Sequence, residues 1–192
     1  MTGVILAGGK AKRFGGTRKS FIEVNGKPII ETQLKLFNKL FDEVIIVAND
    51  TVPFIKYDAL IVSDILKNKG PLGGIYTALY HMKHDSCFVA GCDMPFLNGR
   101  LIRHMMESAG RDWIYSVRID GRYEPLHTVY SKKCQKTVAT MIAGRVLKIS
   151  PMFGMLKAKC VPDDILKKLD PDLKSFKNIN SKEELKTICD GP

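Results

Sequence analysis

The hydrophobic positions of this chain form short runs separated by amphipathic stretches. Polar residues do not alternate within these runs, which are rich in β-branched or aromatic residues, so we expect strands buried on both faces of a sheet. The predicted strands are Val4–Ala7, Val44–Ala48, Leu60–Val62, Cys87–Ala90, Trp113–Val117 and Leu126–Tyr130.

Stripes of apolar residues at helical spacing lie between the predicted strands, and we interpret them as core contacts. The first follows Pro28, which suits the first turn of a helix. Its members are Ile29, Ile30, Leu34, Phe37 and Phe41. The second comprises Leu72, Ile75, Leu79 and Met82, and the third includes Leu101 and Met105. A capping-box pattern at Ser181–Glu184 predicts a last helix.

The alternation of strands and helices predicts an α/β protein with three layers, α/β/α, around a mostly parallel sheet. No repeat or linker divides the chain, so we predict one domain over residues 1–192. The stretch from 145 to 162 has no regular pattern and receives no assignment.

Composition and cysteine usage bear on the cellular location of the protein and on the state of its thiols. The chain is 45% hydrophobic but has no apolar run of the roughly 18 residues that a membrane span needs. No basic leader separates Met1 from the first predicted strand, so we expect a cytoplasmic protein without a membrane segment. The cysteines are Cys87, Cys92, Cys134, Cys160 and Cys189. They are odd in number and lack metal-ligand spacing, which favours reduced thiols.

The net charge of +10 is compatible with nucleic acid, a membrane surface or a small polyanionic substrate. Aromatic residues make up 8% of the chain and are not interleaved with basic ones, which argues against nucleic acid. One basic cluster lies in a glycine-rich segment without acidic residues, and this favours an anion site. Its members are Lys10, Lys12, Arg13, Arg18 and Lys19.

That segment directly follows the first predicted strand. Gly8 and Gly9 would allow backbone N–H groups to approach phosphate oxygens, and Arg13 and Lys19 would supply full charges. The P-loop pattern does not match, because Arg18 stands where that pattern needs glycine before Lys19-Ser20. The dinucleotide-binding pattern does not match either, because it needs one residue between its first two glycines and Gly8 and Gly9 are adjacent. A flexible basic loop without a ligand is the alternative interpretation.

Three other segments carry candidate polar groups. Asp64 precedes Gly70–Gly74, which is either a close-approach site or simply a tightly packed helix start. Asp93 follows a buried strand and could hold Mg²⁺, although a turn or capping role is the commoner fate of such a residue. Asn178 and Asn180 could touch substrate or metal, or Asn180 could cap the last helix.

Taken together and in order, these segments resemble the molybdenum cofactor guanylyltransferase family over residues 4 to about 186. The matching motifs are Leu6–Gly9 with Arg13, Gly15-Gly16 and Lys19, then Gly70–Gly74, Cys92–Pro95 and Asn178–Asn180. Asp120–Arg122 with Pro125-Leu126 resembles the acceptor-side strand. The resemblance implies a Rossmann-like nucleotidyltransferase fold, similar to that of nucleotide-diphospho-sugar transferases.

The resemblance also implies an activity: transfer of GMP from GTP to molybdopterin, with Mg²⁺ as cofactor and pyrophosphate as the second product. It implies catalytic roles for Arg13, Lys19 and Asp93, with Asp93 as metal ligand. The implied nucleotide-binding residues are Leu6, Ala7, Gly8, Gly9, Lys19, Asn49, Asp64, Gly74 and Asp93. The implied acceptor-binding residues are Arg122, Pro125, Asn178 and Asn180. Other cofactor-biosynthesis or molybdoenzyme-maturation proteins are possible partners.

The sequence departs from the family pattern at one position, and the pattern leaves related activities open. Arg18 stands where the family usually has Asp, which adds charge to the site and puts the contact of that Asp in doubt. A related enzyme using CTP or a sugar-phosphate acceptor, or a nucleotide-binding protein without activity, would share most of the pattern.

The histidines His81, His84, His104 and His127 carry no motif. We expect structural or surface roles for them, and His127 lies on the predicted acceptor-facing strand.

Overall fold

The computed structural model describes residues 1–8 and 18–179. Its strands are β1 (Thr2–Leu6), β2 (Glu23–Val24), β3 (Lys27–Pro28), β4 (Glu43–Val47), β5 (Leu60–Val62), β6 (Ser86–Gly91), β7 (Ile114–Ser116), β8 (Arg118–Ile119), β9 (Arg122–Tyr123), β10 (His127–Ser131) and β11 (Ala158–Cys160). Its α-helices are α1 (Ile29–Leu40), α2 (Gly70–His81), α3 (Gly99–Ser108), α4 (Cys134–Ala143), α5 (Ser150–Met155) and α6 (Asp163–Leu169). Short 3₁₀ helices span Lys19–Phe21, Val52–Phe54 and Lys174–Phe176.

Seven strands form one sheet in the order β11-β7-β10-β6-β1-β4-β5. Neighbouring strands are parallel except at β10, which runs antiparallel to both β6 and β7. The predicted mostly parallel sheet is therefore confirmed. Since β1, β4, β5 and β6 run in the same direction, the loops that follow them meet at one edge of the sheet, where ligands bind in such folds.

Helices cover both faces of this sheet. Successive residues of β1 point to opposite sides: Ile5 belongs to the core that α1, α3 and α6 complete, and Val4 to the core that α2, α4 and α5 complete. Strands covered in this way need no polar face, which explains the apolar runs of the sequence. The three-layer α/β/α prediction is confirmed. None of the described helices has the length and apolar character needed to cross a bilayer.

The structure differs from the sequence prediction in several elements. The stripes that begin at Ile29 and Leu72 and the one containing Leu101 are confirmed as α1, α2 and α3, but Pro28 precedes α1 with an extended backbone instead of lying in its first turn. The stretch from 145 to 162 contains α5 and β11. Pro151 and Gly154 interrupt the apolar spacing of α5, so its pattern is too short to be recognised. The predicted helix at Ser181–Glu184 lies outside the described residues.

Candidate active site

A cavity of about 610 Å³ opens at the sheet edge where β1, β4, β5 and β6 end. Its size is within the range of sites that bind small molecules. Its walls combine apolar side chains with a few polar groups. The lining residues are Leu6, Gly8, Lys19, Val47, Asn49, Asp64, Asn68, Gly70, Pro71, Gly74, Gly91, Cys92, Asp93 and Leu126.

The structure brings two of the charged residues predicted for this site, Lys19 and Asp93, into contact. The Lys19 Nζ donates to Asp93 Oδ2 over 2.9 Å. Lys19 begins a 3₁₀ helix on the far side of the glycine-rich segment, and Asp93 lies in the turn after β6. Both side chains are partly exposed, at 28% and 20%, so solvent and ligands can reach the pair. Their roles in catalysis and metal binding stay predictions.

The turn that carries Asp93 is packed tightly against the sheet. The backbone N–H of Cys92 donates to the Leu6 carbonyl over 3.1 Å, which joins the ends of β6 and β1. A Cβ on Gly91 would lie 2.8 Å from Asp93 Oδ1, so the carboxylate occupies the space that a larger residue at 91 would fill. Glycine at this position therefore permits the observed orientation of Asp93.

Asn49 and Asp64 form the opposite part of the cavity wall, just after β4 and β5. Both side chains line the cavity, and the Asn49 Nδ2 lies 3.6 Å from the position of a Cβ on Gly8. Burial raises the pKa of Asp64 above its ordinary value, although the neighbouring Asn49 amide opposes this shift. The pair places fixed polar groups near an otherwise apolar wall, as recognition of a base or ribose requires.

Two predicted nucleotide contacts have a clear packing role. A Cβ on Gly74 would lie 3.1 Å from Leu6 Cδ2, so glycine lets the start of α2 pack closely on β1. Gly74 nevertheless lines the cavity. Ala7 does not: its side chain lies in the core, and its N–H donates to the Val47 carbonyl over 2.8 Å. The Ala7 side chain therefore points away from the cavity into the opposite layer, and the predicted contact of Ala7 with nucleotide stays a prediction.

The additional positive charge of Arg18 is paired. Its guanidinium donates to the carboxylate of Asp50, the residue after Asn49. The other oxygen of Asp50 accepts the backbone N–H of Val52 over 3.2 Å, which holds the carboxylate in place. The expectation that Arg18 adds charge to the site stays a prediction, and in the structure this charge faces the Asp50 carboxylate. Both groups are exposed enough that the ion pair contributes little to stability.

Three of the predicted acceptor-binding residues belong to the described part of the chain, and none of them lines the cavity: Arg122, Pro125 and Asn178. Arg122 is exposed in the β8–β9 hairpin and borders a second cavity of about 370 Å³ with Asp120 and Glu124. The Pro125 carbonyl accepts a hydrogen bond from the Tyr130 hydroxyl over 2.8 Å. Asn178 is exposed and directly precedes Ile179, whose N–H donates to the Asp93 carbonyl over 2.9 Å. Gly9, Arg13 and Asn180 lie outside the described residues.

His127 is a core residue. It is fully buried, with its ring 4.9 Å from the rings of both Phe88 and Phe176, and its nitrogens have no hydrogen-bond partner among the described residues. The expected structural role is therefore confirmed for this side chain, which is buried although its strand was predicted to face the acceptor. Burial lowers the pKa of His127 to about 4, although the nearby Asp170 carboxylate opposes the shift.

This burial predicts an acid-sensitive contribution to stability. Between about pH 6.5 and pH 4, the unfolded chain binds a proton at His127 and the folded chain does not, so the free energy of unfolding falls as the pH is lowered. The loss is on the order of 3 kcal/mol in total. We expect His127→Phe to remove this part of the pH dependence, measured by urea unfolding at several pH values. The control is Phe54→Leu, a buried residue whose ring packs on Phe21 and not on His127, and we expect it to lower stability equally at each pH. Equal pH slopes for His127→Phe and the native chain would refute the assignment.

Sequence reasoning missed other residues that build the site. Val47 and Asn68 line the cavity, and Gln33 on α1 donates to the backbone of the Asp93 turn. A polar residue within the apolar stripe of α1 was the available signal for Gln33. Cys92 also lines the cavity, but burial raises the pKa of its thiol to about 12, so it stays protonated near neutral pH. The described cysteines are free, and Cys189 lies outside the described residues.

Comparison with known proteins identifies the class of this three-layer α/β protein, whose cavity is lined by a lysine and a carboxylate, as a nucleotidyltransferase. Residues 3–150 match the MobA-like NTP transferase domain, and the chain belongs to this family. It is 32% identical over 187 residues to the molybdenum cofactor guanylyltransferase of Desulfosudis oleivorans, with 96% of this chain and 92% of the relative covered. It is 36% identical over 191 residues to a probable molybdenum cofactor guanylyltransferase of Natranaerobius thermophilus, with 96% and 93% covered.

Solved structures agree with this assignment. Molybdopterin-guanine dinucleotide biosynthesis protein A from Archaeoglobus fulgidus superposes with a TM-score of 0.85 and 30% identity, covering 99% of this chain and 97% of that one. A CMP:2-keto-3-deoxy-manno-octonic acid synthetase superposes with a TM-score of 0.73 but only 10% identity, over 98% and 96% of the two chains. The second likeness supports the fold alone.

Proposed function

We propose that this chain transfers GMP from GTP to molybdopterin, forming the guanine dinucleotide form of the cofactor and pyrophosphate, with Mg²⁺ bound at Asp93. The observation that carries the proposal is the 2.9 Å contact between Lys19 and Asp93 at the mouth of the large cavity. A lysine beside a carboxylate that can bind a metal ion would together neutralise the negative charge of a triphosphate. The guanylyltransferase relatives named above support guanine as the base and molybdopterin as the acceptor.

The nucleotide would lie with its base and ribose inside the cavity and its phosphates at Lys19. Leu6, Val47 and Leu126 offer apolar surface to a flat ring, while Asn49 and Asp64 offer hydrogen-bonding groups. Lys19 would attract the phosphates, since a contact between unit charges near 4 Å is worth roughly 4 kcal/mol at an effective dielectric of about 20 before desolvation. The predicted roles of Gly9 and Arg13 at the phosphates belong to the same proposal.

The donor set suits Mg²⁺ shared with substrate. Among the described residues, no three histidine, cysteine or carboxylate side chains form a group able to hold a metal ion. Mg²⁺ commonly takes one or two protein carboxylates and completes its shell with phosphate oxygens and water. Asp93 would supply the carboxylate, and the bound ion would neutralise charge on the phosphate oxygens.

Catalysis then depends mainly on how the two substrates are positioned relative to one another. An oxygen of the acceptor's terminal phosphate attacks the α-phosphorus of GTP; the new P–O bond forms while the bond to the bridging oxygen of pyrophosphate breaks. The attacking phosphate monoester is already ionised, so no general base is required. Lys19 would stabilise negative charge on the phosphates as the bond breaks, and the cavity walls would hold the nucleotide in line.

A nucleotide panel tests this proposal. The purified chain is incubated with molybdopterin, Mg²⁺ and either GTP or CTP, and pyrophosphate and the dinucleotide product are measured. We expect turnover with GTP that requires molybdopterin and stops when the metal is chelated. Appreciable turnover of CTP without turnover of GTP would overturn the choice of nucleotide, and full activity in the presence of a chelator would overturn the role of Mg²⁺.

A further inference from the structure

Gln33 is a buried polar residue on the apolar face of α1. Its neighbours on that face are Ile29, Ile30, Leu34 and Phe37, and the Gln33 side chain is only 1% exposed. Burying an amide costs several kcal/mol unless hydrogen bonds compensate. A hydrophobic side chain would fill this position without that cost, so the contacts of the amide must explain its presence.

Those contacts converge on the turn that carries Asp93. The Gln33 Nε2 donates to the Gly91 carbonyl over 2.8 Å and to the Met94 carbonyl over 2.9 Å. Both acceptors are carbonyl oxygens, so the nitrogen must face them whichever way the amide is drawn. The Oε1 of Gln33 has no hydrogen-bond partner among the described residues. The Gln33 side chain therefore donates both of its hydrogen bonds to the backbone of the turn, while its own Oε1 accepts none from the described residues.

The two acceptors bracket Asp93 in the chain. A third contact, from the Ile179 N–H to the Asp93 carbonyl over 2.9 Å, holds the residue between them. A Cβ on Gly91 would lie 2.8 Å from Asp93 Oδ1, so the carboxylate lies close against the backbone of Gly91. A displacement of the Gly91 and Met94 carbonyls would thus move the group that faces Lys19.

We propose that Gln33 is a positioning residue, which holds the Gly91–Met94 turn so that the Asp93 carboxylate is set for a divalent cation. This inference rests on the proposed function, because it takes Asp93 as the metal ligand. Gln33 touches neither metal nor substrate; it acts through the backbone of the turn. Groups that orient metal ligands in this way typically change metal affinity about 10- to 100-fold when they are removed.

The test measures metal binding directly. Mn²⁺ serves as the probe, and its affinity for the chain saturated with a non-hydrolysable GTP analogue is measured by electron paramagnetic resonance. We expect Gln33→Met to weaken Mn²⁺ binding at least about tenfold. Gln33→Glu, which places an oxygen opposite the two carbonyls, should weaken it at least as much. Affinity for the analogue in a chelator should be unchanged, because Gln33 does not line the cavity.

Two comparisons separate the possible failures. Phe37→Leu alters the same buried face of α1 one turn further along, and we expect it to lower stability and leave Mn²⁺ affinity unchanged. Native affinity in both Gln33 variants, with loss in Asp93→Asn, would overturn the role of Gln33 alone. Native affinity in Asp93→Asn would overturn the proposed metal site and this inference together.

A measurement on the native chain covers the case in which the Gln33 variants do not fold. The side-chain amide signals of Gln33 are followed by nuclear magnetic resonance while Mg²⁺ is added to the complex with the GTP analogue. We expect these signals to shift in the native chain and to stay in place in Asp93→Asn. Unmoved signals in the native chain would contradict the coupling between Gln33 and the metal ligand.

Discussion

In the Asp93→Asn variant, kcat for pyrophosphate release is expected to fall about 100- to 1,000-fold, the loss typical when a group that stabilises transition-state charge is removed. Asparagine keeps the shape of the side chain but lacks the negative charge that would hold a hard cation. The fold should persist, since backbone contacts of the turn, from Cys92 to Leu6 and from Ile179 to Asp93, do not involve the carboxylate. Initial rates over a range of Mg²⁺ concentrations measure the effect, and thermal unfolding checks the fold.

Asp50→Asn is the matched control for this variant. It removes the same charge at the same edge of the sheet, where Asp50 pairs with Arg18 and does not line the cavity. We expect it to retain most of the activity. In a chelator, Asp93→Asn should bind GTP at least as well as the native chain, because the carboxylate no longer competes for Lys19 or repels the phosphates. Native kcat in Asp93→Asn would remove Asp93 from the site.

Lys19→Met is expected to weaken GTP binding about 10- to 100-fold. A hydrogen bond to a charged group contributes about 1.5–3 kcal/mol net, and 1.4 kcal/mol corresponds to a factor of ten in affinity. Methionine keeps the apolar part of the side chain, so the cavity wall remains covered. The dissociation constant is measured by titration calorimetry in the presence of a chelator, which separates the effect of Lys19 from that of the metal.

The control for this variant is Lys27→Met, which removes an exposed positive charge from β3 without changing the cavity lining. We expect its GTP affinity to match that of the native chain at physiological salt, since exposed charges at a distance are screened. Equal GTP affinity in Lys19→Met and the native chain would refute the assignment of Lys19 to the phosphates.

The central part of the fold could be predicted because its strands are buried on both faces. Leu60–Val62 is found at the predicted residues, and the other five predicted strands differ from the structure by one or two residues at their ends. Such strands need uniformly apolar runs, and these are visible in a single sequence. The hairpins β2–β3 and β8–β9 have two residues in each strand, too few for a periodic pattern.

The candidate site could be predicted only in part, for a different reason. Strand ends locate Lys19, Asn49, Asp64 and Asp93 near one another because parallel strands end at one edge. The pairing of Arg18 with Asp50 depends on how two loops approach one another, which sequence spacing does not give. Gln33 shows the same limit in the core, because a polar residue in an apolar stripe does not reveal which groups it contacts. The sequence around His127 likewise does not reveal that this side chain is buried.

The most direct test of the proposed nucleotide and metal site is a crystal structure of the chain with a non-hydrolysable GTP analogue and Mn²⁺, the metal located by its anomalous scattering. We expect a manganese peak bound by the Asp93 carboxylate and by phosphate oxygens of the analogue, with Lys19 contacting the same triphosphate. A nucleotide whose phosphates lie away from Lys19, or a manganese ion bound elsewhere while Asp93 has no metal, would contradict it.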